Sequence, residues 1–259
     1  IKHTIARVTD VDHDAQTIHS IRLHNDTTVY AHLINDASVP AGTLMRHIDN
    51  DNCESWSHRL PCDRLFVGTA PALSPVPSFA EVSAFGSGWL GLHPLANRTA
   101  VIAGFSSAHT EESEVPHMLA AMSGLRIEGE SAVSHIDPGT RRRLWVGNCL
   151  AIGDTGVYLD PLDGLSLHML HTGLSYLASL FPVDRDDMKE ARVFNDKMAA
   201  HATGVRDFQI AHYKLNRRFD DPFWNDARNI EVPETLATKL ALFKARGVVA
   251  MQEFETFQE

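Results

Sequence analysis

The chain has 259 residues, is 44% hydrophobic and carries a formal net charge of -10, enough to bury one or two cores behind an acidic surface. That balance excludes nucleic acid as a natural partner, since the one basic run, at 141–143, reads as a solvated strand start, and no apolar stretch reaches the roughly 20 residues that cross a bilayer. Three cysteines, Cys53, Cys62 and Cys149, with no CxxC spacing, point to a reducing, cytoplasmic setting rather than a disulfide framework, although a Cys53 to Cys62 bridge stays open.

In chain order, residues 4–36 read as strands. Ile21 and Leu23 alternate with polar neighbours, Asn25 and Asp26 supply a turn, and Val29, Ala31 and Leu33 resume the alternation. The segment 32–38 suits a strand returning to a nucleotide-binding sheet. From about 62 to 107, short apolar runs separated by Pro, Gly and Ser turns, with no helix between them, predict an antiparallel sheet. A short helix follows around His117 to Met122.

Residues 144–152 form an apolar run broken at Gly147 and Asn148, which suits an extended, buried segment. Gly153, Asp154, Gly156, Asp160, Pro161, Asp163 and Gly164 then bend the chain tightly and set carboxylates around the bend. Beyond it, Leu167, Leu170, Leu174, Leu177 and Phe181 place one apolar stripe on a helix, with Asp163 at its N-cap position. Free N-H groups at such a helix start favour an anionic or electron-rich ligand. Helical spacing resumes from Met188 to Leu215, with Gly204 a point for a kink, and again from Pro233 to Gly247. The predicted class is α/β, in an α+β arrangement of an antiparallel sheet and a helical C-terminal region.

Fifteen histidines invite a metal reading, but His168 and His171 make only an HxxH pair, short of a zinc ligand set, so no metal is expected. A Ser-His-Asp hydrolase lacks its GxSxG elbow.

The spacing of Gly153, Asp154, Pro161 and Gly164 resembles the second FAD motif of flavoprotein monooxygenases, GD(x)6PxxG. Three further stretches narrow this. RDFQIAHY at 206–213, with Arg217, Arg218 and DPFW at 221–224, looks like the RDFxxxHYxxxxR...SPFW signature of flavin-dependent tryptophan halogenases. WVGNCLAIG at 145–153 and LPCDR at 60–64 are similar to two strands of that family.

The resemblance implies an oxidoreductase, halogenating a small indole- or phenol-type substrate through a flavin C4a-hydroperoxide, with FAD reduced by a separate flavin reductase and a halide ion as co-substrate. It assigns Gly153, Asp154, Pro161, Leu162, Gly164 and Leu165 to the cofactor, and Trp89, His93 and Pro94 to the substrate pocket. Asp163 stands where the catalytic glutamate belongs, one methylene shorter, and Gly91 replaces the second Trp of a WxWxIP motif. His212 is assigned to helix core or substrate wall. Hydroxylation by an FAD monooxygenase and a non-catalytic remnant that binds an aromatic ligand are the alternatives. The chain opens at Ile1, carries no GxGxxG and is read as the C-terminal part of a longer protein, without the family's active-site lysine. It is divided into part of an FAD-binding domain at 1–60, a substrate-side sheet at 61–143, the FAD-binding strand-turn-helix at 144–182 and helices at 183–259.

Overall fold

The computed structural model describes residues 2–249 except 39, 51, 185, 186 and 219; positions 250–259 of the expected helical region lie outside the described residues. The first sheet joins β1 (Val8–His13), β2 (Ile18–Leu23) and β3 (Thr28–Val29) in an antiparallel meander. Asp26 turns it with φ 60°, a left-handed value that Asp tolerates better than most residues. β4 (Ile34–Asp36) then leaves to pair in parallel with a strand far downstream, as the strand reading of 32–38 anticipated. Next comes β5 (Cys53–Ser55).

The large sheet contains β6 (Arg64–Ala70), β7 (Glu81–Phe85), β8 (Gly88–Pro94) and β9 (Thr99–Phe105). It is closed on one edge by β10 (Glu128–His135), giving the antiparallel order β10-β6-β9-β8-β7. Its two faces are both covered. Phe66, Val101, Ala103 and Phe105 pack against Val115 and Leu119 of α1 (Val115–Ser123), whereas Trp89, Leu65 and Ile102 face the main core. The sequence pattern anticipated this antiparallel sheet but not β10, whose residues are almost all exposed. An edge strand with polar residues on both faces carries no alternation to read.

The 144–152 run is a hairpin of two short strands, β12 (Trp145–Val146) and β13 (Cys149–Ala151), with β13 also pairing β4. Gly147 makes the turn at φ +51°, and a Cβ there would lie 1.6 Å from the Gln16 carbonyl oxygen, so the β1–β2 hairpin can dock only on a glycine. Asn148 completes the docking: its side chain accepts from the Ile18 N-H and donates to the Ile18 carbonyl, both at 2.9 Å. β11 (Gly139–Arg141) lies between β14 (Val157–Tyr158) and β5 in a third small sheet.

The helices are α2 (Ser166–Ser179), α3 (Glu190–Leu215), α4 (Pro222–Asn229) and α5 (Glu234–Arg246). Two expectations are corrected here. α3 runs as one helix of 26 residues through Gly204 without a break. On α2 the buried positions are Met169, Gly173 and Leu177, while Leu167, Leu174 and Phe181 of the expected stripe are exposed. Gly173 explains the rotation. A Cβ there would already touch Ile152 at 3.5 Å and Met198 at 3.7 Å, so the helix approaches its neighbours along its glycine rather than its leucines.

Candidate active site

The turn between β14 and α2 carries Asp160, Pro161, Leu162, Asp163 and Gly164. Asp163 (φ 65°) and Gly164 (φ 65°) are both left-handed. This twist keeps Asp163 from capping α2, whose N-cap residue is Leu165 with no side-chain hydrogen bond, so the expected N-cap role is corrected. The helix start stays uncapped beside Gly164, where a Cβ would meet nothing within 4 Å.

One face of α3 holds the turn, because positions 209, 212 and 213 point the same way at helical spacing. The Gln209 amide donates to the carbonyls of Asp160 (2.7 Å) and Leu162 (3.3 Å). The Tyr213 hydroxyl donates to Asp160 Oδ2 at 2.6 Å, and the Leu162 N-H donates to Asp160 Oδ1 at 3.0 Å. His212 Nε2 lies 3.3 Å from Asp163 Oδ2. Burial is the largest influence on the Asp160 carboxyl and raises its pKa, against the hydrogen bonds from Tyr213, Leu162 and Trp89. Burial also raises the Tyr213 phenol and the Cys62 thiol well above their usual values.

The rest of the RDF and PFW signatures supports this face. Arg206 forks onto Asp207 (3.0 and 2.8 Å) and lies over the Trp56 ring, while the Thr235 hydroxyl of α5 donates to Asp207. Trp224 stacks on Tyr213 and donates its Nε1-H to the Phe85 carbonyl at 2.5 Å.

Trp89 sits in the core at 3% exposure, its indole N-H donating to Tyr213 Oη at 3.1 Å and its ring lying where a Cβ on Gly104 would be. The Tyr213 phenol thus touches both Trp89 and Asp160. His93 and Pro94 are partly buried at the end of β8. Leu162 and Leu165 are buried, Pro161 is partly buried, and Gly153 (φ 60°) leaves 3.6 Å between an added Cβ and Leu170.

Asp154, with Tyr158, lines a cavity of about 470 Å³ bounded by β5, β11 and the loop at Pro40. Burial raises the pKa of this carboxyl and the Ser166 hydroxyl opposes the shift. Arg141 forms another wall. It is not a solvated residue, as the basic run suggested, but is 3% exposed and donates to the carbonyls of Thr155 (3.0 Å), Asp49 (2.8 Å) and Ala41 (3.0 Å). Asp36 folds the neighbouring loop by accepting from the N-H groups of Ser38 (3.2 Å), Leu44 and Met45 (both 2.8 Å). The sequence reading missed Arg141, Asp36, Gln209 and Tyr213 as parts of the site. For the last two the signal was present, since both belong to the RDFQIAHY run.

Cys53, Cys62 and Cys149 are free thiols, and burial pushes Cys149 up to about 12. Among the described residues no three His, Cys, Asp or Glu side chains come together as a metal set, and no helix is long and apolar enough to cross a membrane.

This fold, with its carboxylate turn at an uncapped helix start, is that of flavin-dependent halogenases. It superposes on BrvH, a flavin-dependent halogenase from Brevundimonas sp. BAL3, with a TM-score of 0.89 and 33% identity, covering 97% of this chain and 52% of that one. On Xcc4156, a flavin-dependent halogenase from Xanthomonas campestris, the TM-score is 0.92 at 26% identity, with coverage of 98% and 52%. Tryptophan 7-halogenase RebH of Lentzea aerocolonigenes is 26% identical over 250 residues, 95% of this chain and 47% of the relative. The profile of the tryptophan halogenase family matches residues 1–259, and the chain belongs to that family. It spans about half the length of the curated relatives it matches.

Proposed function

We propose that the protein containing this chain is an FAD-dependent halogenase of a small aromatic, indole- or phenol-type substrate. The observation that carries this reading is the family match along the whole chain, joined to a turn that presents the Asp163 carboxylate at an uncapped helix N-terminus.

The donor set fits the ribityl and ring half of FAD. Asp154 is a carboxylate on a cavity, able to accept from the hydroxyls of a polyol chain. The α2 start offers the positive end of the helix dipole to an electron-rich ring edge, with Gly164 adding no bulk there. Bound in its reduced form, FAD would supply the two electrons that take O2 to the peroxide level, the oxidant a halide needs. The chain's own part is positional. Asp163 orients the electrophile or the substrate hydrogen it replaces, and the α3 face keeps Asp163 in place. Trp89, with His93 and Pro94 at the end of β8, backs the substrate side. In this reading residues 1–60 and 144–182 serve the cofactor, 61–143 the substrate, and 183–259 close the site. A separate flavin reductase delivers the reduced cofactor, and the protein works in the cytoplasm.

A second reading, hydroxylation by a monooxygenase, is favoured by Asp163 in place of glutamate and Gly91 in place of the second Trp. Mass spectrometry of an indole or phenol turned over with reduced FAD and O2, with and without bromide, separates the two. A bromine isotope pair supports halogenation, and oxygenated product in both mixtures refutes it.

A further inference from the structure

Gln209 is enclosed at 0% exposure, and its amide nitrogen serves two carbonyls of one turn. Nε2 lies 2.7 Å from the Asp160 carbonyl oxygen and 3.3 Å from that of Leu162. A carbonyl only accepts, so a flipped amide would set oxygen against two oxygens, and the nitrogen is the atom that faces the turn. Oε1 is left buried and meets no donor among the described residues. Buried amide oxygens are ordinarily paired, and an apolar side chain of the same length would leave no such acceptor. What the glutamine supplies here is its pair of N-H groups.

The two carbonyls bracket Pro161, whose ring already locks its own φ at -65°. The Leu162 carbonyl shares a rigid peptide plane with the Asp163 N-H, so holding that oxygen fixes the direction in which Asp163 leaves the plane. Asp163 then turns left-handed at φ 65°, away from the right-handed region that its side chain prefers. Tyr213 reaches the side chain of Asp160 and His212 that of Asp163, whereas Gln209 grips the backbone between them. We propose that Gln209 is a positioning residue for the reaction, an amide clamp on the Asp160 and Leu162 carbonyls that sets where the Asp163 carboxylate points. The task of Asp163 comes from the halogenase reading, on which this inference rests, but the clamp itself does not. A carboxylate on a one-methylene arm has few rotamers with which to correct a misplaced backbone, so its aim follows the turn.

The test is a double-mutant cycle in the complete protein, turned over with reduced FAD, O2 and bromide. Gln209→Met keeps the length without the N-H groups and should lower kcat by roughly tenfold or more, with the KM for the aromatic substrate unchanged. Gln209→Glu, which turns an acceptor toward both carbonyls, should act in the same direction. In an Asp163→Asn background either replacement should change kcat by less than about twofold, because the carboxylate it would misplace is gone. A merely structural role lowers both backgrounds by the same factor; that result, or Gln209→Met at the wild-type kcat, overturns the proposal. Rates are read on whichever product the wild type forms, brominated or oxygenated, so a lack of bromine refutes the halogenase reading while the ratio of the two backgrounds still decides Gln209. The crystal structure of either Gln209 variant should show the Leu162 carbonyl rotated and Asp163 out of its left-handed φ, and an unmoved Asp163 overturns the clamp.

Discussion

The Tyr213 hydroxyl donates to the Asp160 carboxylate at 2.6 Å, and both groups are enclosed, with Asp160 at 0% and Tyr213 at 1% exposure. Through this bond a helix late in the chain holds a turn some fifty residues earlier, and Trp89 of the sheet joins on the other side of the same oxygen. The three form a buried polar bridge between the large sheet, the Asp163 turn and α3.

Tyr213→Phe keeps the ring stacked on Trp224 but removes the phenol that accepts from the Trp89 N-H and donates to Asp160. The expected cost is about 2 kcal/mol, seen as a lower urea midpoint at unchanged slope.

Asp160 also sets a pH dependence. Its folded pKa is raised, chiefly by burial, above the unfolded value of 3.8. The folded protein therefore keeps this proton over a window where the unfolded chain has lost it. The contribution is fully present below about pH 4 and is lost as pH rises through the folded value. Asp154, also raised by burial, acts in the same sense. Asp160→Asn should flatten the decline of unfolding free energy above about pH 4, as measured by urea titrations at several pH values; an unchanged slope would refute the assignment.

Gly147→Ala places a methyl 1.6 Å from the Gln16 carbonyl at a left-handed backbone and should destabilise by about 2–4 kcal/mol. Gly204→Ala, inside α3 with nothing within 4 Å of the new Cβ, should instead stabilise by about 1 kcal/mol. Thermal unfolding of the two variants checks the contrast in sign.

Local pattern carried much of the architecture. The short apolar runs at 62–107, with no helix between them, gave the antiparallel sheet. Pro233 and Gly247 bracketed α5, where Gly247 takes φ 65° and its N-H closes on the Phe243 carbonyl at 2.7 Å. What stayed hidden was relational. Leucine spacing on α2 defines an apolar stripe but cannot show that Gly173 permits the closer approach, which turns Leu167 and Leu174 outward. Arg141 looks like a surface charge because its partners are three backbone carbonyls from two separate connections, 37–52 and the turn at 155, which no residue type announces. Likewise the family motif singled out RDFQIAHY, but only the packing of α3 on the turn shows that Gln209, His212 and Tyr213 address Asp160, Leu162 and Asp163.

The central claim divides two carboxylates by task, Asp154 for the cofactor and Asp163 for the reaction. The most direct test measures FAD affinity and brominated product together for Asp154→Ala and Asp163→Asn in the complete protein. Asp154→Ala should weaken FAD binding by roughly tenfold or more, through loss of hydrogen bonds to a charged acceptor. Asp163→Asn should bind FAD as the wild type does while its bromination rate falls by roughly 10²-fold. Bromination at the wild-type rate by Asp163→Asn, with FAD bound, would contradict the account.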